Sequence, residues 1–499
     1  MGTWTRRTLL AGAGAGLGAL GARSLYTSKI PSGLPFPTEP MIGSGGAVLL
    51  NDAGELSPTI VAKHIVFNAK PDEVLLAALR TELKEAQAAS RPVVAHTARH
   101  SMGGQSLIKD GLALTFDQDW IEPDIASKSY RCAAGTRWST VIRELDKIGF
   151  SPAVMQSNND FGVASTYSVN AHGWPVAFSG GGTTVRSLKM LLANGDHITC
   201  SPRENADLYG FAMGGYGMFG IITELEMDMV PNSRLDPTFE TMAGVDFGDA
   251  FLKKIRENPD VQMAYGRMSV AIDGFFNEAL MITYKPNPDQ SDLPAASGSG
   301  FISKVSRDIF RQQTGSDRWK NLRWGIEAEL NPWISSGPAT RNSLMNEPVV
   351  TLDDKDPTRT DILHEYFVSP SRFAEFVKAC QDVIPSSFQE LLNITLRFVD
   401  TDNFSVLNYA TEPRIAAVML FSQEKSVRGE ADMARMTSEL IERVIAIGGK
   451  YYLPYRPHAT IDQFKRAYPR HGEFVAKKRL VDPGLAFRNG LWENYLGKV

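Results

Sequence analysis

Residues 91–106 read RPVVAHTARHSMGGQS: an apolar run, Val93, Val94 and Ala95, enters a turn of small and hydrogen-bonding residues with His100 at its centre. A short apolar run bounded by such a turn is the pattern of a buried strand. The turn residues (Thr97, Ser101, Gly103, Gly104, Ser106) are too small and too polar to form core. A turn of this kind leaves backbone N–H groups unpaired near the surface, which suits a phosphate or pyrophosphate. Around it, residues 63–68 (KHIVFN) predict a strand. Residues 71–88 predict a helix, on the spacing of Val74, Leu75, Ala78, Leu79 and Leu83, and residues 112–116 a second strand.

Further along, residues 130–134 predict a strand leading into a helix within GTRWSTVIRELDKIG, with Thr136 or Ser139 near its start and Gly149 at its end. Residues 156–175, QSNNDFGVASTYSVNAHGWP, are dense in Ser, Asn and Gly and predict a backbone-lined ligand groove more than a core element. Then come a strand at 184–192, a hairpin turn at Asn194-Gly195-Asp196, its return strand at 197–200, and a helix at 205–213. A glycine turn, GGYGMFG, precedes a long alternating strand at 221–230. Two stretches spell GxGxxG. The first, residues 16–21, has no strand before it; the second, through Gly215, Gly217 and Gly220, runs helix–glycines–strand. A dinucleotide fold of the Rossmann kind needs strand–glycines–helix, so neither stretch supports one.

A composition change near residues 231–237 predicts a domain boundary. Beyond it, residues 238–284 hold strands and a helix at 251–258, and residues 286–300 predict a Pro/Ser/Gly-rich surface loop. Residues 319–333 carry aromatic and acidic residues without a clear period. A strand at 362–368, a helix at 371–384, strands at 392–399 and 416–421 and a helix at 429–447 give the order of an α+β unit with one antiparallel sheet. Two helices, 461–468 and 472–482, precede a tail, FRNGLW. The division expected is a signal segment at 1–30, a first domain at 55–235, a second at 236–455, and a C-terminal segment, 456–499, that returns to the first.

The 499 residues, 43% hydrophobic and 22% charged with a net charge of −4, are ordinary for a globular protein and give no reason to expect nucleic acid as a partner. Three cysteines without a CxxC pair make no disulfide framework, and no HExxH or carboxylate cluster points to a metal. At the N-terminus, Thr5-Arg6-Arg7-Thr8-Leu9-Leu10 precedes a weakly apolar Gly/Ala run, and residues 24–50 have the composition of a linker. Basic pair, short apolar core and small residues predict a twin-arginine signal and hence a periplasmic or secreted protein. The run is too short for a stable membrane span.

Residues 97–105 (TARHSMGGQ), the NAHG turn at 170–173, residues 204–227 (ENADLYGFAMGGYGMFGIITELEM) and the tail around Asp482, Arg488 and Asn489 together resemble the vanillyl-alcohol-oxidase, or PCMH-type FAD-binding, oxidoreductase family. Within it, cytokinin dehydrogenases and the alditol and aldonolactone oxidases are most alike. The resemblance implies an α+β fold: a two-part FAD-binding PCMH-type domain beneath an α+β cap, or substrate, domain with an antiparallel sheet. It also implies FAD linked covalently through His100 of Arg99-His100-Ser101. Cofactor contacts are implied for Thr97, Ala98, Arg99, Ser101, Gln105, Ser106, Val163, Ala164, Ser165, Ser168, Asn170, Gly173, Ile222 and Asn489.

The chain departs from its likenesses on the substrate side. The acid of cytokinin dehydrogenases falls near Ser157, with Asp160 three residues late, and the Glu-x-Arg pair of the sugar oxidases becomes Thr395-Leu396-Arg397. Arg397 is the expected cation for the substrate oxyanion or the reduced flavin. Tyr455 leads Tyr452, Glu365 and His458 as proton acceptor, and His172 is expected to shape the NAHG turn. The activity implied is hydride transfer from an alcohol, lactone or amine carbon of a small molecule to flavin, with oxygen or a quinone/cytochrome reoxidising it. Two rivals stand beside this reading. One is a secreted flavin- or small-molecule-binding protein without turnover; the other is an NADPH-dependent UDP-sugar reductase relative, which the export signal disfavours.

Overall fold

The computed structural model describes residues 47–296, 310–330, 339–348 and 356–499. The twin-arginine segment, the first GxGxxG and nearly all of the 24–50 linker lie outside the described residues, as do the ends of the 286–300 and 319–333 stretches.

Three parallel strands form the first sheet, in the order Lys63–Phe67, Leu112–Phe116, Val93–His96. Helix Glu73–Ala88 starts where Asp72 accepts hydrogen bonds from the N–H groups of Val74 and Leu75, both at 3.1 Å. It buries Leu75, Leu79, Leu83 and Ala86 against Val93, Leu112, Leu114 and Phe116. The C-terminal segment closes this core with Ala486 and Phe487, and the Val93 N–H donates to the Ala486 carbonyl at 2.7 Å. The strand that delivers the 97–106 turn is therefore held from both ends of the chain.

A second sheet of six antiparallel strands has Ile221–Pro231 at its centre, flanked by Val185–Leu191 and Ser129–Ala133. Helix Trp138–Asp146 packs on it through a fully buried Trp138, whose indole donates to Thr166 Oγ1 at 2.7 Å. Thr166 belongs to a helix, Val163–Val169, inside the stretch predicted to be an irregular groove. Its Ser, Thr and Val content is poor in helix propensity, and burial of Val163, Ala164, Thr166 and Tyr167 overrides that. The helix stops at Asn170, whose φ of 48° is the left-handed value asparagine tolerates.

At residues 232–233 the chain leaves this sheet and enters an eight-stranded antiparallel one. From Met263–Met268 onward its order is Glu390–Val399, Arg414–Glu424, Arg359–Val368, Lys450–Tyr451. Helices Phe373–Val383 and Val427–Ala446 cover one face, packing on Ile362, Tyr366, Ile394, Leu396, Ala417 and Met419. Because side chains alternate across a strand, the opposite face presents Leu363, Glu365, Val418, Thr395 and Arg397, brought level by the register Glu365↔Val418↔Thr395. The first domain is stitched to this sheet: the Ala264 N–H donates to the Trp174 carbonyl at 2.9 Å, and the Val176 N–H to Gln262 at 3.2 Å.

Candidate active site

The bare face of the eight-stranded sheet, the 97–106 turn and the Val163–Val169 helix line one common cavity. Its first-domain wall holds Thr97, Ala98, Arg99, His100, Ser101, Gln105, Ser106, Ser165 and Ser168. Its second wall holds Leu363, Glu365, Arg397, Val418, Tyr452 and Tyr455. Arg397 and Tyr455 thus share one chamber with His100.

The turn is built on a buried histidine. Burial first, and the Arg99 charge second, push His96 down to about 3, so its ring is neutral. Its Nδ1–H donates to the Ser106 carbonyl at 2.9 Å, which leaves Nε2 to accept from the Thr115 hydroxyl at 2.7 Å and from Arg99 Nη1 at 3.2 Å. Arg99, at a left-handed φ of 54°, also donates from Nε to the Asn51 carbonyl at 3.2 Å. The Thr97 and Ser165 hydroxyls meet at 2.7 Å, and those of Ser101 and Ser106 at 2.9 Å. A Cβ on Gly162 would lie 2.4 Å from Thr97 Oγ1, so only glycine lets the helix approach the turn this closely. His100 Nε2 lies 3.7 Å from Asp160 Oδ2, and its ring centroid 4.2 Å from that of Phe161.

The glycine half of the turn does not offer free donors. The N–H groups of Met102, Gly103 and Gly104 bond to the Pro454 carbonyl at 2.8 Å, to Gln105 Oε1 at 2.9 Å and to Asp52 Oδ2 at 2.8 Å. Gln105 is a clamp as well, since its Nε2 donates to the carbonyls of Leu453 at 2.6 Å and Tyr455 at 2.9 Å. Both of its amide protons are engaged, which leaves it no proton for a cofactor phosphate.

Six further residues expected at the cofactor do not line the cavity. The N–H groups of Val163 and Ala164 are taken by the carbonyls of Thr136 at 2.9 Å and Ala134 at 3.1 Å. Asn170 donates to Asp402 Oδ2 at 3.0 Å and accepts from the Gly182 N–H at 3.2 Å. Gly173 packs so tightly that an added Cβ would lie 1.9 Å from the Met155 carbonyl oxygen. Ile222 pairs with Met190 inside the second sheet, its side chain in the core. Asn489 caps the helix Gly490–Asn494 and donates to the Tyr216 carbonyl at 2.8 Å, so it supports the cavity through Tyr216. In this structure these six are framework residues.

On the second wall the decisive pair is Glu365 and His172. The His172 Nε2 is hydrogen-bonded to Glu365 Oε1, both side chains being only 2% exposed, while Nδ1 has no partner. His172 is therefore part of the site, beyond any shaping of its turn. Tyr455 donates its hydroxyl to Glu365 Oε2 at 3.2 Å, and burial, reinforced by that carboxylate, raises its phenol well above the ordinary value. It is a hydrogen-bond donor in this structure, and the carboxylate it reaches, Glu365, lines the same cavity. Tyr452 is likewise raised by burial and donates to the Val169 carbonyl at 2.7 Å. His458 does not line the cavity; it faces Glu430 at 3.0 Å. Sequence did hold a signal for Glu365, a lone acid inside the apolar strand ILHEYFV. Nothing local marks His172 as its partner.

Arg397 donates from Nη1 to the His172 carbonyl at 3.3 Å, and its Nε is buried without a partner. Among the described residues no carboxylate forms an ion pair with Arg397 or with Arg99. The cavity wall therefore carries two guanidinium groups against the single carboxylate of Glu365. Arg397 feels the Glu365 charge, so Arg99 is the cation left to favour an anionic ligand. The two arginines stand on opposite walls.

Residues 76–201 match the family described as FAD binding domain. The chain is 30% identical over 150 residues to cytokinin dehydrogenase 9 of Oryza sativa subsp. japonica, covering 29% of this chain and 28% of that protein. It is 35% identical over 98 residues to a putative D-arabinono-1,4-lactone oxidase of Neurospora crassa, covering 20% of this chain and 18% of that one. The match thus spans under a third of either relative. A decaprenylphosphoryl-beta-D-ribose oxidase of Mycolicibacterium smegmatis is 21% identical over 470 residues, 88% of this chain and 95% of that protein. The crystal structure of 6-hydroxy-D-nicotine oxidase from Arthrobacter nicotinovorans superposes with a TM-score of 0.57 at 15% identity, over 83% of this chain and 89% of that one. The diphosphate of FAD suits the first wall, where Arg99 has no counter-ion and the hydroxyls of Thr97, Ser101, Ser106 and Ser165 face the same cavity.

Proposed function

We propose that this chain, which belongs to the PCMH-type FAD-binding oxidoreductase family, oxidises a small molecule at an alcohol, lactone or amine carbon in the cavity between its two walls. One observation carries the reading: a first wall with an unpaired arginine and clustered hydroxyls faces a second wall on which a single carboxylate is held ready by two donors. When bound, FAD supplies the two-electron acceptor for a hydride leaving that carbon. Arg99 and the Thr97, Ser101, Ser106 and Ser165 hydroxyls hold the cofactor's diphosphate. Glu365 receives the substrate's O–H or N–H proton, and the His172 and Tyr455 bonds fix the carboxylate so that one lone pair faces the chamber.

His100 faces the same cavity from the turn, which supports a covalent tether to the flavin. Such a link would keep the cofactor on a protein exported by the twin-arginine route, where fresh FAD is not at hand.

The test is direct. The purified protein is expected to be yellow and to lose that colour anaerobically when a substrate is added. After acid denaturation the colour is expected to stay with a tryptic peptide containing His100, and His100→Ala to release it. A colourless protein with an intact fold overturns the reading; colour released from the wild type overturns the tether alone. A yellow protein that no alcohol, lactone or amine bleaches supports the rival reading of a binding protein without turnover.

A further inference from the structure

Residues 51–57 line no part of the cavity, yet they are bonded to the elements that form both of its walls. Toward the first wall, the Ala53 N–H donates to the Arg99 carbonyl at 3.0 Å and to the Ser101 carbonyl at 3.2 Å, one on each side of His100. The Asn51 carbonyl accepts from Arg99 Nε at 3.2 Å, and Asp52 Oδ2 accepts from the Gly104 N–H at 2.8 Å. Asp52 is 5% exposed, and its Oδ1 accepts from the Gly54 N–H at 3.2 Å. One buried carboxylate thus binds the segment to itself and to the turn.

Toward the second wall, the Gly54 carbonyl accepts from Thr360 Oγ1 at 2.9 Å. Thr360 belongs to Arg359–Val368, the strand that carries Glu365. Gly54 is wedged between the domains: an added Cβ would lie 3.3 Å from Met102 Cβ and 3.4 Å from Ile362 Cδ1. Glu55 pairs with Lys425, and Arg456 donates to the Leu56 carbonyl at 3.2 Å and to Ser57 Oγ at 3.1 Å. The turn and the strand cannot shift against one another without breaking bonds to this segment.

We infer that residues 51–57 are a coupling strap. Asp52 and Ala53 are positioning residues that hold the 97–106 turn in its cofactor-binding shape, and Gly54 passes the state of that turn to the strand bearing Glu365. The inference rests on the proposed function for the ligand at the turn, the cofactor's diphosphate. Coupling between two sites is reciprocal. A strap that tightens the turn on the diphosphate is itself held tighter once the diphosphate is bound, and the Thr360 end of the strand with it. Occupying the first wall therefore steadies the second, so the acid is in place when the electron acceptor is.

The test uses the full-length, flavin-loaded protein. One readout is the phosphorus NMR resonances of the bound diphosphate; the other is hydrogen–deuterium exchange in the peptide of residues 97–106. Thr360→Val deletes one hydroxyl at the second-wall end of the strap. It is expected to shift the resonances and to raise exchange in 97–106 roughly 3- to 10-fold. Asp52→Ala strips the Gly104 N–H of its acceptor and should raise that exchange about 10-fold or more. Thr437→Val is the control, since it removes another buried hydroxyl of the second domain, one bonded to His364 at 3.2 Å and not to the strap. It should leave both readouts where they are in the wild type. Flavin-free protein from riboflavin-starved cells should exchange faster than loaded protein in both 51–57 and 359–368. If Asp52→Ala does not fold, Thr360→Val and its control still decide. Exchange in 97–106 unchanged in Thr360→Val, a control that moves as far as Thr360→Val, or exchange in 359–368 indifferent to flavin overturns the strap while the proposed function survives. A protein that takes up no flavin fails the proposed function and leaves the exchange comparison among variants to decide the strap.

Discussion

Glu430→Gln reaches the site through a clamp that touches no substrate. Glu430 lies in the first turn of helix Val427–Ala446, where the helix dipole favours an anion. It is bonded to Arg456 through both Nε and Nη2, to His458 at 3.0 Å and to Gln423 Nε2 at 2.8 Å. The other end of Arg456 donates to the carbonyl of Leu56 at 3.2 Å, to Ser57 Oγ at 3.1 Å and to the Met102 carbonyl at 3.4 Å. One arginine thus ties the second-domain helix to the turn that carries His100. Burial alone would raise the Glu430 carboxyl, but the His458 and Arg456 bonds and charges outweigh it and bring it down to about 2 from 4.5. Burial also keeps His458 below its ordinary value, so at neutral pH its ring is uncharged and Arg456 carries the electrostatic part.

A fall from 4.5 to about 2 corresponds to about 3 kcal/mol, present above pH 4.5 and lost as pH falls toward 2. The side chain is only 17% exposed, so solvent screening removes little of it. Leaving Arg456 buried without its carboxylate is a loss of the same order, roughly 3–5 kcal/mol. The assay is urea unfolding of wild type and Glu430→Gln from pH 7 to pH 3. At pH 7 the variant is expected to be less stable by about 3 kcal/mol. The gap should narrow by about 2 kcal/mol between pH 5 and pH 3, because the wild type loses what the variant never had. A gap that stays constant across that range, or is absent at pH 7, would falsify the clamp.

Glu365→Gln is expected to lower the rate of flavin bleaching by roughly 10² to 10⁴, the contribution of a positioned base, with colour retained. Tyr455→Phe, losing one hydrogen bond to that carboxylate, should cost about tenfold at most and shift the acid limb of the pH–rate profile; an unmoved profile argues against its orienting role. In Gly162→Ala the new Cβ meets Thr97 Oγ1 at 2.4 Å, so roughly 1–3 kcal/mol of stability should go and FAD should dissociate more readily; unchanged retention counts against the close contact. Asp482→Asn strips Lys478, which is 0% exposed, of its only acid partner among the described residues and weakens the bonds from the Ala486 and Phe487 N–H groups, both 2.9 Å. A loss of about 3–5 kcal/mol in thermal unfolding is expected; a Tm equal to the wild type refutes it.

Local pattern determined most of the elements of this protein. The apolar spacing of residues 71–88, the alternation of 221–230 and the small-residue turn after strand Val93–His96 are properties of neighbouring residues, and neighbours are what a sequence displays. The failures have the same root. Helix Val163–Val169 forms against its own propensity because Trp138 and the second sheet bury it, and Gly103 and Gly104 are occupied by acceptors from Gln105 and Asp52. Residues 97–106 announced an anion-binding turn, yet which of its groups remain available was settled by what packs behind them.

The chemistry was decided later still. Glu365 and His172 are 193 residues apart, and Arg397 shares a sheet face with Glu365 only because three strands pair in one register. Side chains alternate along a strand, so a slip of one residue in Arg359–Val368 would turn Glu365 toward the covering helices and leave the cavity without an acid. Sequence by itself determined which segments become strands, helices and the turn. Only the tertiary structure decided that one carboxylate and two arginines would face a common space, because charge balance is a property of the whole cavity and no single segment forms it.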